Sequence, residues 1–461
     1  MKYIFPKNFK WGSAVWAQGT EGGYNKDGKS PTVWDEYYRL HPERFFNKIG
    51  PSETLGWYDK KFDVASLVES VGHNSFRTSI MWTRLIPDGK NINEKAVEFY
   101  KDMFQSFKEK NIELSVVLYW FDMPLMYENE GGFSNRKIIE PFVYYCQKCF
   151  ELFDDLVDIW YIYNEPFMDA IMKYENGLCY PNEVNWNKLN NAIYNMVIAH
   201  AKVVELYKNN NYDKKIGSVL NHAHVYSRSN HLADQNARDI IDLLKIKCFE
   251  DPLLGGYVNK DWMAFVKKYG ANLNVDLKDE ELIKNNTIQI VGLNIYGPLR
   301  VKCPSYIINP HAPITTTSFY EPYDMPGKRM NKYRGWEIYP QCLYDAVMDI
   351  KKRYNNPEMR ITENGIGVQN ESRFRGENGQ IQDDYRIDFV KEHLLWVHKA
   401  IEDGANLVGY NMWSFIDLWS PSNQFKNCYG FFEYDLKTEE IKRKKSADWF
   451  EKISKDNFIE I

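Results

Sequence analysis

Residues 160–166 read Trp160-Tyr161-Ile162-Tyr163-Asn164-Glu165-Pro166. A run that is apolar and aromatic throughout ends abruptly on two polar side chains. Continuous rather than alternating hydrophobicity is expected of a strand covered on both faces. The same signature recurs at Trp11–Trp16, Ser75–Ile80, Leu114–Leu118, Ile216–Leu220, Ile288–Leu293, Met359–Thr362 and Val408–Met412, which makes eight runs in all. Longer amphipathic stretches between them predict helices, among them Phe62–Val71, Glu94–Lys110, Lys137–Phe153, Leu189–Lys208, Tyr339–Arg353 and Tyr385–Glu402. Strands that alternate with helices pair in parallel through crossovers. Eight such units predict the α/β class and a single (β/α)8 TIM barrel with long βα loops. The competing doubly wound sheet usually carries a Gly-rich phosphate turn after its first strand, and none is present.

A chain of 461 residues could hold two or three domains. No linker or low-complexity segment divides this one, and insertions can carry a barrel well past its usual ~250 residues. One domain over 1–461 is therefore expected. Charge is nearly balanced, with 58 basic and 63 acidic residues and a net charge of −5, which argues against a nucleic-acid partner. The basic run Lys442-Arg443-Lys444-Lys445 reads as a solvated face. No secretory apolar segment follows Met1, and no stretch approaches the ~20 apolar residues of a membrane span. Seven scattered cysteines, with one CxxC at Cys146 and Cys149 and no second pair, fit free thiols in a reducing cytoplasm. Aromatic residues make up 16% of the chain, more than a core needs, and Trp and Tyr faces suit sugar rings.

A barrel places its working groups just beyond the C-terminal ends of its strands. The polar residues there are Arg77, Asp122, Asn164-Glu165, Asn294, Tyr296, Glu363-Asn364 and Asp417. Two glutamates thus hold equivalent places on the fourth and seventh strands. Acetal cleavage needs a proton for the leaving oxygen and stabilisation of an oxocarbenium-like carbon, and two flanking carboxyl groups supply both. The acid needs a raised pKa, whereas the other carboxylate needs donors or a cation. Arg77 and Tyr296 are suitable donors for a carboxylate on the seventh strand.

From Phe5 to Phe450 the sequence resembles glycoside hydrolase family 1, the retaining β-glycosidases. The resemblance rests on Phe9-Lys10-Trp11-Gly12-Ser13-Ala14, Glu21-Gly22, Phe76-Arg77-Thr78-Ser79-Ile80 and Asn164-Glu165-Pro166. It continues through Asn294-Ile295-Tyr296, Gly335-Trp336-Glu337, Thr362-Glu363-Asn364-Gly365 and Trp413-Ser414-Phe415-Ile416-Asp417. It implies Glu165 as acid/base, Glu363 as nucleophile, Asn164 on the sugar 2-hydroxyl, and Arg77 and Tyr296 orienting the nucleophile. Trp413 is implied as a glycone-stacking group and Trp336 as part of the aglycone wall. Within the family, Gly72-His73-Asn74-Ser75-Phe76-Arg77, Phe121-Asp122-Met123-Pro124 and the segment 324–331 are similar to the 6-phospho-β-glucosidases. Ser420 stands where enzymes for unphosphorylated sugars usually carry a glutamate. A serine removes a repulsion of phosphate and donates a hydrogen bond, and Lys426 and Tyr429 are expected to complete the phosphate site.

Four positions depart from the family pattern. Trp120 replaces a histidine that would bind the sugar 3-hydroxyl. Gly19 stands in place of a sugar-binding glutamine, with Gln18 one residue away on what is read as a strand, and so facing the other side. Pro421 replaces a tryptophan, and Cys428 a common basic residue. The expected function is hydrolysis of a small-molecule β-glycoside, most simply a 6-phosphorylated one. The alternatives are an atypical, unphosphorylated glycone or a catalytically silent sugar-binding barrel. No cofactor and no metal are implied, and the sequence carries no signal of oligomeric state.

Overall fold

The computed structural model describes residues 1–460 apart from 61, 310 and 422. The eight apolar runs form the strands β1 (Lys10–Ala14), β2 (Ser75–Ser79), β3 (Glu113–Tyr119), β4 (Ile159–Asn164), β5 (Lys215–Asn221), β6 (Ile290–Asn294), β7 (Glu358–Asn364) and β8 (Leu407–Trp413). All pair in parallel, and they close in the order β7–β8–β1–β2–β3–β4–β5–β6. This is the expected TIM barrel.

Helices pack around it where the amphipathic stretches lie. They include α1 (Val64–Glu69), α2 (Glu94–Glu109), α3 (Ile139–Phe153), α4 (Pro166–Tyr174), α5 (Trp186–Asn209), α6 (Gln341–Arg353) and α7 (Asp384–Glu402). In α2 the buried residues Ala96, Val97, Tyr100, Phe104 and Phe107 recur at the three- and four-residue spacing of one helix face. α1 is shorter than expected. Asp63 accepts the Ser66 N–H at 3.0 Å as its N-cap, and Gly72, at φ 68°, takes the left-handed turn beyond its end. None of the described helices is long and apolar enough to cross a membrane.

The first strand also ends early, at Ala14, and Ala17–Thr20 make one helical turn instead of continuing it. Trp16 is anchored there by its Nε1 donating to Trp419 O at 2.9 Å, and the Ala17 N–H donates to Ser79 Oγ at 2.9 Å. The N-terminal end of the barrel is closed by Glu113, which pairs with Arg360 at 2.7 Å and Lys10 at 3.2 Å. At the opposite end the long loops carry their own small sheets. Val225–Ser227, Leu299–Lys302 and Glu321–Pro322 form one sheet, and Met330–Asn331 pairs with Trp336–Glu337 in another. These pieces are too short to show a period in sequence.

Candidate active site

The fourth strand delivers Asn164 in extended backbone, and then the chain turns sharply. Glu165 adopts φ 48°, ψ 57° and serves as the residue before α4, with Pro166 in the first helical position. Proline suits that position because the N–H it lacks would have no partner within the helix. A left-handed conformation costs a non-glycine residue about 1–2 kcal/mol. The Glu165 N–H donation to Val219 O of β5, at 2.8 Å, holds the chain there. Glu363 stays within β7, opposite Asn294 of β6, just past a register shift after Ile361.

A continuous hydrogen-bond chain connects the two glutamates. Arg77, fully buried on β2, donates one η nitrogen to Glu363 Oε1 and the other to Asn164 Oδ1 at 2.9 Å. The Tyr296 hydroxyl donates to Glu363 Oε2 at 2.6 Å. Asn294 Nδ2 donates to Glu165 Oε1 at 2.7 Å and to Asn164 Oδ1 at 3.1 Å, and its own Oδ1 is fixed by the Thr362 hydroxyl at 2.8 Å. Asn221 Nδ2, at the end of β5, reaches Glu165 Oε1 at 3.2 Å.

Their electrostatic settings differ. Burial, followed by the charge on Glu363, pushes the Glu165 carboxyl up to about 7, against the amides of Asn294 and Asn221 and the charge on Arg77. Burial also raises Glu363, opposed directly by the Arg77 guanidinium and by hydrogen bonds from Tyr296, Arg77 and Asn294. Glu363 therefore has a cation bonded to it, whereas Glu165 has only neutral amide donors. The first is suited to remain a carboxylate and the second to hold a proton near neutral pH.

Both glutamates open into a cleft of about 480 Å³. Asn164, Tyr296, Trp120, Trp336, Trp413, Ser420 and Tyr429 line it with them, so most of the residues singled out in sequence meet in one place. Arg77 lies behind Glu363. Lys426 is a correction. It is exposed, its amine sits 5.8 Å from the Phe46 ring centroid, and it borders a separate surface cavity rather than the cleft. The cause is local: the Asn427 N–H and Nδ2 both donate to Asn423 Oδ1, at 3.1 and 2.7 Å, in a turn that brings Asn423 to the cleft while Lys426 faces solvent. Two strand-end aspartates also serve the scaffold. Asp417 is paired with Lys444 at 2.8 Å and accepts the Gly430 N–H, and Asp122 accepts the N–H groups of Trp82 and Trp120.

The departures from the family pattern are explained by packing. Gln18 lies in the helical turn, not on a strand, and donates to Thr32 Oγ1 at 2.9 Å outside the cleft. A Cβ on Gly19 would come within 2.1 Å of Trp16 Nε1, so the glycine makes room for that indole on the cleft wall. Trp120 lies over the Arg77 guanidinium at 4.3 Å and packs on Trp413 with ring centroids 5.6 Å apart. Cleft residues absent from the sequence expectations include Trp16, Asn221, Arg334 and Asn423. Asn294 was read as a strand end and as part of the Asn294-Ile295-Tyr296 motif, with no role of its own. Asn221, the polar residue closing the fifth run, carried the same signal as Asn294.

An eight-stranded parallel barrel with two buried carboxyl groups in one cleft at the C-terminal ends of its strands is the arrangement that acetal hydrolysis by a carboxyl pair needs. The chain belongs to glycosyl hydrolase family 1, whose family model matches residues 1–458, and it is a retaining β-glycosidase. It is 40% identical over 455 residues to 6-phospho-beta-glucosidase GmuD of Bacillus subtilis (strain 168), covering 98% of each chain. It is 33% identical over 476 residues to a 6-phospho-beta-galactosidase of Leptotrichia buccalis, covering 98% of this chain and 99% of that one. The family 1 b-glucosidase structure from Thermotoga maritima superimposes with a TM-score of 0.90 at 28% identity, over 100% of both chains.

Proposed function

We propose that this chain, acting as one barrel domain over 1–461, is a 6-phospho-β-glucosidase in which Glu165 is the acid/base and Glu363 the nucleophile. Glu363 attacks the anomeric carbon as Glu165 gives its proton to the departing oxygen. The C–O bond to the aglycone breaks as the ester bond to Glu363 forms. Glu165, now ionised, takes a proton from water, whose oxygen displaces Glu363 and restores both side chains. Asn164 is positioned for the sugar 2-hydroxyl, whose hydrogen bond strengthens as charge develops on the ring. Trp413 and Trp336 supply the aromatic walls.

The observation that carries the phosphate reading is the cleft wall at Ser420 and Tyr429. Its cleft-facing members, Ser420, Pro421, Asn423 and Tyr429, bring no carboxylate to repel a dianion. Similarity to the Bacillus enzyme supports the same reading. Seven free thiols and a charged, membrane-impermeant substrate support a cytoplasmic setting.

Hydrolysis of 4-nitrophenyl β-glucoside and of its 6-phosphate should be compared. A strong preference for the phosphate is expected, and equal or reversed rates defeat the reading. A 2-deoxy-2-fluoro glycoside 6-phosphate should label Glu363, and labelling of another residue would refute its role. The indole wall of Trp16 and Trp120 supports a second reading, in which the glycone is not glucose. Turnover of another 6-phosphorylated aryl glycoside with none of the glucoside would favour it.

A further inference from the structure

The segment between β5 and the short strand Val225–Ser227 has two faces. Asn221 and Ala223 line the cleft, whereas the alternate residues His222 and His224 turn toward α6. Extended chain produces this alternation. The backbone is held at both histidines: the His222 N–H donates to Asn294 O at 3.2 Å, and His224 O accepts the Leu299 N–H at 2.9 Å. Their imidazoles stand nearly parallel, with planes 14° apart and centroids 6.1 Å apart. One ring nitrogen of each and one carboxylate oxygen of Asp349, on α6, all lie within 4.8 Å of one another.

The surroundings of this trio are built for an ion. His222 is 1% exposed, and its Nδ1 meets Glu250 Oε1 at 2.5 Å. A carboxylate only accepts, so Nδ1 carries the proton and donates it. Nε2 is buried, has no hydrogen-bond partner among the described residues, and is left with a lone pair to offer. An imidazole that ligates a metal commonly has its other nitrogen held by a carboxylate in this way. The local charge points in the same direction. Asp242, Asp345, Asp349 and Glu250 surround the two histidines, against Arg353 and Lys247. Asp349 pairs with Arg353 at 2.8 Å through Oδ2, and a carboxylate has a second oxygen. Two negative charges in excess, beside two imidazoles, suit a divalent cation.

We propose that His222, His224 and Asp349 bind one zinc-class ion, which ties the segment after β5 to α6. Two imidazoles and a carboxylate, with water in the fourth place, are a zinc ligand set. Ligand atoms ~2.0–2.2 Å from a tetrahedral ion stand about 3.4 Å from one another, so the widest pair here closes by up to about 1.4 Å. His222 is fixed by Glu250. His224 and Asp349 are only half-buried, so they have room to adjust and leave the ion a way in. The ion sits on the face of the segment turned from the cleft and takes no part in bond cleavage. Its effect is to brace the stretch that presents Asn221 to Glu165. The assignment is independent of the glycone.

The test is titration of the chelator-treated full chain with ZnCl2 against a chromophoric chelator, in wild type, His224→Ala, Asp349→Asn, Glu250→Gln and His398→Ala. The last removes a histidine that lies beside Glu402 on another part of the surface. Wild type should take up one Zn2+ per chain. Glu250→Gln, which leaves all three ligands in place, should weaken binding about 10- to 100-fold, and loss of a ligand in His224→Ala or Asp349→Asn should weaken it at least as much. His398→Ala should bind as wild type does. Zn2+ at a hundredfold excess over its Kd should raise the melting temperature of wild type by about 3–5 °C and leave the ligand variants unmoved. CoCl2 in place of ZnCl2 should give the visible band of a four-coordinate nitrogen and oxygen site, without the charge-transfer band of a thiolate. No uptake by wild type, wild-type affinity in both His224→Ala and Asp349→Asn, or loss of binding in His398→Ala would overturn the assignment. Should a variant fail to fold, the Co2+ spectrum of wild type decides: a thiolate or six-coordinate signature refutes the site, and the expected band upholds it.

Discussion

Replacing Asn221 with alanine should shift the basic limb of the pH profile of kcat/KM to higher pH. Glu165 is held at about 7 by burial and by the charge on Glu363, and is pulled down by the amides of Asn294 and Asn221 and by Arg77. Asn221 donates to Glu165 from the end of β5 at 3.2 Å, a long bond to a charged acceptor. Such a bond is worth about 1 kcal/mol, below the ~1.5–3 kcal/mol of short charged ones, and 1 kcal/mol corresponds to about 0.7 of a pKa unit. The bond is made to the ionised carboxyl, so its loss disfavours ionisation and raises the pKa further. An acid that must be protonated to act then survives to higher pH, and the limb should move up by about half a unit to one unit. The assay is the profile of wild type and variant on one aryl glycoside 6-phosphate, so that titration of the substrate phosphate is common to both and cancels. A limb that stays in place or moves to lower pH, in a variant of wild-type melting temperature, would refute Glu165 as the titrating acid.

Glu165 should also set a pH dependence of stability. Its pKa is raised on folding, so its contribution is intact below the unfolded value of about 4.5 and is lost as pH rises through about 7, a loss of about 3 kcal/mol by pH 9. Glu165→Gln should therefore melt a few degrees above wild type near pH 9, with the gap narrowing toward pH 5; a gap independent of pH contradicts this. Gly19→Ala would place a Cβ 2.1 Å from Trp16 Nε1 and 2.4 Å from Trp419 O. It should cost about 1–3 kcal/mol of stability and raise KM by displacing Trp16, and an unchanged melting temperature would show that the space is less restricted. With Ser420 where the family usually carries a glutamate that binds the sugar 4- and 6-hydroxyls, the 4-position should be read weakly. 6-Phospho-β-galactosides and 6-phospho-β-glucosides should then differ by less than about tenfold in kcat/KM, whereas sites built around a hydroxyl discriminate by ~10⁴ or more. A difference near that larger figure would mean that another donor reads that carbon.

The barrel was legible because its strands are buried on both faces, which forces unbroken apolar runs, and Glu165 and Glu363 were legible because a polar residue must break each run where the site begins. Asn221 breaks the fifth run in the same way, yet an amide has no titration chemistry to mark it. Lys426 misled because position in a loop does not fix direction; the Asn423–Asn427 turn decides which side chains face inward. Arg334 was hidden for the converse reason. Its hairpin strands are two residues each, too short for periodicity, and only the folded loop brings it to Tyr429. Trp16 was absorbed into a strand because one helical turn at 17–20 gives no repeat to detect.

The charge on Glu363 is the largest influence, after burial, that keeps Glu165 protonated. In the proposed reaction that charge vanishes once Glu363 is esterified. Glu165 is then left in the same burial and beside the same amides and guanidinium, but without its negative neighbour, and its affinity for a proton falls. The side chain that began as a donor becomes ready to accept. The two halves of the cycle are thus sequenced by the covalent state of the partner, with no loop required to move.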